Sequence, residues 1–294
     1  VRDFPESEYV VESNFALGEY YFENEQWQAA LENYQKVIAK RRSRLLTFAY
    51  YKAAWCFYRL NRTDAALKSL ERVVKLSGGP QEALKPGSTA ASGSSNVNKV
   101  RLAAEAVRDY VPFFAESGEY KTAVQKFYDV VQDENKAFSM VEHLAHTYSD
   151  NGNREASNFL YKQMIQKNPT AEKAADYQYQ ILLSYATSDQ KAFREELINW
   201  LESFGPSSQW KKDNAKNMKL TTETLKLQET TLRNHVLQLH QTAQNSKSPQ
   251  VQQQAAYAYV LYSKFFFDSP HALEMAFFQA ELLFDMNQFE NASK

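Results

Sequence analysis

Apolar and polar positions recur along this chain with the period of an α-helix, and whole groups of them recur at a longer period. Phe15, Gly18, Tyr21 and Phe22 fall on one helical face, and after a polar break a second set follows at Trp27, Ala30, Leu31, Tyr34 and Val37. The order returns at Ala54, Phe57, Tyr58, Ala66, Leu67, Leu70 and Val73, at a constant offset of 36 residues. Small residues at Gly18 and Ala54, answered twelve positions later by Ala30 and Ala66, let two antiparallel helices bring their backbones close. One such pair cannot bury its apolar face alone and must stack on a neighbour. The pattern therefore predicts an all-α fold, an α-solenoid of antiparallel helix pairs.

Further copies extend the register. Leu144, Ala145, Tyr148, Gly152, Ser157, Tyr161 and Met164 form one, closed by Pro169, which lacks an N–H and restricts the residue before it. Gly118, Tyr120, Ala123, Phe127 and Val130 form another, but Val111-Pro112 stands where a small residue belongs, so a kink or a shortened helix is expected there. Phe277, Ala280, Leu283, Phe284, Phe289 and Ala292 repeat the first set at an offset of 262. The last pair has barely begun its second helix at Ala292, and Phe4-Pro5-Glu6-Ser7 reads like the joint before a repeat. The expectation is a piece of a longer array. This set of small, aromatic, turn and closing positions resembles the tetratricopeptide repeat family, a helix-turn-helix with small residues at its eighth and twentieth positions.

The organisation read from these signals is two repeats over 1–76, a Gly/Ser/Pro insertion over 77–98, and three repeats over 99–204, of which the third and fifth are degenerate. An atypical hairpin follows over 205–267, and a further repeat starts at 268–294. The insertion, with Gly78-Gly79-Pro80 and Pro86 to Ser95, has no apolar anchor to offset the entropy of ordering and reads as a flexible excursion. Ser207 to Asn245 reads as one long helix. Its sparse stripe of Met218, Leu225, Leu232, Val236 and Leu239 suits a helix that protrudes or pairs with one neighbour.

Composition narrows the chemistry. A formal net charge of −1, from 34 basic and 35 acidic residues, leaves no electrostatic footprint for nucleic acid. The one basic run, Lys40-Arg41-Arg42-Ser43-Arg44, falls at a joint between repeats, where a solvated turn explains it. A single cysteine, Cys56, excludes an internal disulfide framework. No apolar run has the length of a membrane span. His143 and His146 are three apart on one helix but lack a ligand from another element, and His235 and His240, five apart, do not share a face. The Glu-Ser pairs at 12, 116 and 202 lack the flanking pattern of lytic transglycosylases. No catalytic residue, metal site or cofactor is assigned.

The tetratricopeptide resemblance implies that first helices line a concave groove. On it the candidate binding residues are Tyr51, Trp55, Tyr58 and Arg59, with Glu19, Glu23, Glu281 and Asp285 from other repeats. Phe15, Phe22, Phe277 and Phe284 occupy groove positions too, but read as rings packed between helices. The phrases Phe4-Pro5-x-Ser7, Gly18-Glu19-x-x-Phe22 and Glu105-Ala106-x-Arg108-Asp109 look like bacterial cell-envelope members, including Tol-Pal-associated, outer-membrane-assembly and gliding-motility repeat proteins. That resemblance implies a non-catalytic scaffold that docks protein partners in a periplasmic or outer-membrane-associated complex of motility or secretion type. A cytoplasmic peptide-binding adaptor is the alternative, and a helical accessory domain of an enzyme is the third class.

Overall fold

The computed structural model describes residues 9–77 and 94–292, with 94–100 as backbone only. Most of the 77–98 insertion and the Phe4 to Ser7 joint lie outside the described residues. The described residues form helices and their connections, with no strand. By its contacts the chain divides into two compact units, residues 1–160 and 161–294.

Unit 1 begins with two hairpins, α1 (Val10–Glu23) with α2 (Trp27–Ala39) and α3 (Leu46–Arg59) with α4 (Thr63–Leu76). It continues with α5 (Ser94–Ser117), α6 (Ala123–Val131), α7 (Glu134–Asp150) and the start of α8 (Arg154–Lys167). Gly18 works as the repeat pattern requires: a Cβ there would lie 2.6 Å from the Tyr34 ring, so α1 and α2 meet at a distance only glycine allows. Ala30, Leu31, Tyr34 and Val37 of α2 close over Ala49, Ala53 and Cys56 of α3 as one core. Burial pushes the Cys56 thiol up to about 12, so it packs as a small apolar group.

The turns carry the register in their backbones. Glu25, Asn61, Gly118, Gly152 and Asn287 hold the same repeat position, and all five have positive φ, between 57° and 73°. Each ends a first helix in the left-handed region. The following N–H reaches back five residues at four of them: Gln26 to Tyr21 O (2.8 Å), Arg62 to Phe57 O (2.9 Å), Asn153 to Tyr148 O (2.8 Å) and Gln288 to Leu283 O (2.9 Å). This closing motif satisfies the last helical carbonyls and sets the angle at which the second helix departs.

Of the kink or shortened helix expected at Val111-Pro112, the shortening does not occur: α5 runs for 24 residues with Pro112 inside it. Pro112 sits on the exposed side of the helix, while Val111, Phe113 and Phe114 are buried around it. The single long helix expected from Ser207 is broken as well. A short α11 (Gln209–Asp213) ends near Asn214, and α12 (Met218–Ser246) starts afresh where the Asn217 side chain accepts the Leu220 N–H at 3.2 Å.

Unit 2 contains α9 (Ala174–Leu183), α10 (Gln190–Phe204), α11, α12, α13 (Pro249–Phe266), α14 (Ala272–Asp285) and the short α15 (Phe289–Ala292). Its core centres on Trp200, Leu201, Phe204, Trp210, Leu232, Val236, Tyr259 and Tyr262. Polar pins fix it. Trp200 Nε1 donates to Ala175 O (2.9 Å), Trp210 Nε1 to Ala171 O (2.7 Å), Asn214 Nδ2 to Thr170 O (2.9 Å) and Gln228 Nε2 to Trp200 O (3.0 Å). α12 pairs with α13 rather than protruding. Its buried face is wider than the apolar stripe, taking in Thr221, Gln228, His235 and His240 beside Leu232 and Val236, whereas Met218 is exposed. The two histidines turn to different neighbours. His235 lies against the Phe193 ring of α10, and His240 Nδ1 is 2.7 Å from the Tyr259 hydroxyl of α13.

Candidate functional site

The α3 candidates come together as a seam. Tyr51, Trp55 and Tyr58 share one face, at helical spacing, and all three are half-buried against α5. The Tyr51 hydroxyl donates to Asp109 Oδ2 at 2.6 Å, and the Tyr58 hydroxyl donates to Glu116. Phe113 of α5 is the ring they share: Tyr58 stacks on it with centroids 3.9 Å apart and planes 2° from parallel, and Trp55 meets it edge-on at 5.0 Å. Burial, reinforced by the carboxylate each phenol donates to, holds Tyr51 and Tyr58 up at about 12, so both stay protonated donors. Arg59 is exposed, its guanidinium 5.6 Å from the Trp27 ring centre.

Glu19 is tied into the frame in the same way. It accepts from the Tyr34 hydroxyl and pairs with Lys52 of α3 at 2.9 Å, and the same ammonium stands 4.5 Å over the Phe22 ring. Glu23 is exposed one turn further on. The basic joint contributes Arg44, which reaches Glu12 at 3.2 Å. α1 thus meets α3 and the joint before it through Glu12, Glu19 and the Phe22 ring.

α14 carries Glu281 and Asp285 on its exposed side, near enough to His240 for their charge to favour its protonated form against a larger opposing effect of burial. Here one expectation fails. Phe15 and Phe22 are half-buried as packed rings, but Phe277 and Phe284 are 68% and 62% exposed, because no helix among the described residues stands on that face. Leu273 is 85% exposed beside them. Repeat positions place these rings on a face without saying what covers it, since burial depends on a neighbour that the register does not specify.

In unit 2 a cleft of about 480 Å³ is lined by Glu229, Arg233 and Ser269, among others. Glu229 there already accepts from Arg233 (3.0 Å) and from the Tyr262 hydroxyl (2.6 Å). His143 is exposed and His146 half-buried, and among the described residues no three His, Cys, Asp or Glu side chains come together as a ligand set. No helix among them is long and apolar enough to cross a membrane.

No curated protein matches the chain. Among solved structures it is similar to MamA protein, at 15% identity over 71% of this chain and 96% of that one, with a TM-score of 0.37. It is similar also to the TPR domain of P58(IPK), at 14% identity over 96% and 80%, with a TM-score of 0.29. The C-terminal part of a TPR repeat-containing protein from Cytophaga hutchinsonii gives 13% identity over 89% and 98%, with a TM-score of 0.30. The family model described as tetratricopeptide repeat matches residues 48–77, the segment that holds most of α3 and all of α4.

Proposed function

We propose that this chain is a non-catalytic scaffold that docks protein partners within a bacterial envelope complex of motility or secretion type. Tetratricopeptide repeats mediate protein–protein interactions, and residues 48–77 match that family. The observation that carries the reading is a frame of interlocked helix hairpins that leaves large rings outside. Tyr20 is 60% exposed on α1, and Tyr257 and Val260, one turn apart on α13 with Lys264 beyond them, are 55% and 54% exposed. Contiguous exposed apolar side chains with charge beside them mark contact surfaces rather than reaction centres. The envelope placement is supported by the short phrases around Phe4, Gly18 and Glu105.

A photo-crosslinking residue placed at Tyr20 or at Tyr257 in the source cell tests the scaffold reading. Discrete adducts absent from a control position such as Lys68 are expected, and adducts no different from the control would refute it. Cell fractionation tests the placement: recovery with the envelope is expected, and recovery in the cytoplasm would return the adaptor reading.

A further inference from the structure

We infer that the cleft between α11, α12 and the α13–α14 joint holds an acidic segment of a protein partner, with an apolar side chain of that segment inside and its carboxylates on two lysines of the wall. The inference rests on the scaffold reading above and gives the chemistry of one partner segment. The cleft, of about 480 Å³, lies wholly within unit 2. Its walls are Pro206 and Lys211, the stretch of α12 from Thr222 to Arg233, and the joint from Phe266 to His271, so the packing of α10 to α14 forms it. That volume is in the range of clefts that hold ligands.

Its charged groups fall into two sets. Glu229 is spent inside the fold, on Arg233 and on the Tyr262 hydroxyl, which also meets Ser269 Oγ at 2.9 Å. Lys211 and Lys226 pair with no carboxylate among the described residues, and of the lining acids only Asp268 is left to oppose them. The break at Asn214 to Asn217 is what brings these two lysines to one cleft. In an unbroken helix, fifteen residues would hold them about 22 Å apart. The surroundings carry the same sign: from Pro206 to Lys226 the chain has five lysines against Asp213 and Glu223, in a protein of net charge −1. Asp213 already accepts from Gln209 and Glu223 stands 3.9 Å from Lys219, while Lys212 and Lys216 are exposed. A carboxylate set between Lys211 and Lys226 gains charge-assisted contacts from both, and an apolar side chain beside it is buried against half-buried Leu225 and Phe266. A basic segment is repelled by the same lysines. Lipid phosphates would match the lysines but leave the apolar wall unused, so the cleft favours a peptide.

The test uses the full chain and three pools of labelled, C-terminally amidated pentapeptides, followed by fluorescence anisotropy. Each peptide has a central Leu, Ile, Phe or Met, flanked by Asp and Glu in one pool, by Asn and Gln in the second and by Lys and Arg in the third. Saturable binding of the acidic pool alone is expected, weakened by added salt and at least tenfold by Lys211→Gln with Lys226→Glu. Leu225→Ser, which leaves every charge in place, should weaken it too, and Lys68→Glu in unit 1 should not. Should the double variant melt early, Lys226→Glu alone, at an exposed position, carries the same expectation. No binding of the acidic pool, or binding indifferent to Lys226→Glu, overturns the inference. So does co-sedimentation with anionic phospholipid vesicles that Lys226→Glu abolishes while the acidic pool stays unbound, since the lysines then serve a membrane surface. Failure of the acidic pool with the Tyr257 adducts intact strikes the cleft and leaves the scaffold; adducts no different from the control with the acidic pool bound refute the scaffold, not the cleft.

Discussion

Phe22 of α1 and Phe284 of α14 hold the same place in the repeat, end their helices through the same turn geometry and touch an aromatic residue five positions on. Yet Phe22 is half-buried under Lys52 and Phe284 is 62% exposed. Register decides where a ring points, while the next helix decides whether it is core or surface. α3 gives the other half of the comparison. Its rings occupy the same positions, and α5 converts them into a seam of stacked aromatics and phenol–carboxylate bonds.

The largest expected effect comes from removing the neighbour. Phe113→Ala takes away the ring shared by Trp55 and Tyr58 in a site where Phe113 is 1% exposed, and unfolding in urea should show a loss of about 3–5 kcal/mol. A loss below about 1 kcal/mol would mean the seam is loose and α3 is open to a ligand.

Unit 2 responds to acid for a related reason. Burial, with Arg194 nearby adding to it, lowers His235 from its ordinary value to about 4, so the folded state holds it neutral while the unfolded chain takes up a proton. The unfolded state therefore binds more protons between about pH 6.5 and pH 4. Stability present above pH 6.5 is lost as the pH falls through that window, by up to about 3 kcal/mol. His235→Leu should flatten the dependence when urea midpoints are measured across it.

Smaller effects sharpen the contrast between ring packing and polar pinning. Trp210→Phe keeps most of the buried ring but deletes the donor to Ala171 O, and a loss of about 1–2 kcal/mol is expected in the same assay. Glu25→Gly relieves a non-glycine residue at φ 57° and should raise stability by up to about 1 kcal/mol, read as an upward shift of the melting temperature.

Much of the frame was legible because its cause is local. The small residue at Gly18, the rings three and four positions on and the turn residues are all written in a 36-residue offset, and the structure uses them as a close approach, a core and a closing turn. What escaped depends on partners remote in sequence. Gln228, His235 and His240 read as polar breaks in a sparse stripe, but each faces a group supplied by another helix: the Trp200 carbonyl, the Phe193 ring and the Tyr259 hydroxyl. The break at Asn214 to Asn217 was hidden by good helix formers on both sides, with asparagine side chains doing the capping. Of the candidate site, the spacing of Tyr51, Trp55 and Tyr58 gave their common face. Asp109, Phe113 and Glu116 opposite them could be paired only once α5 was placed.

The central claim is that equivalent rings on α1 and α14 differ in role because one face is covered and the other is open. Unfolding free energies of Phe22→Ala and Phe284→Ala, measured side by side in the full chain, test it most directly. The account predicts a loss of about 2–3 kcal/mol for Phe22→Ala and a change within about 0.5 kcal/mol for Phe284→Ala. Equal losses in the two variants would contradict it, since Phe284 would then be as much a part of the folded core as Phe22.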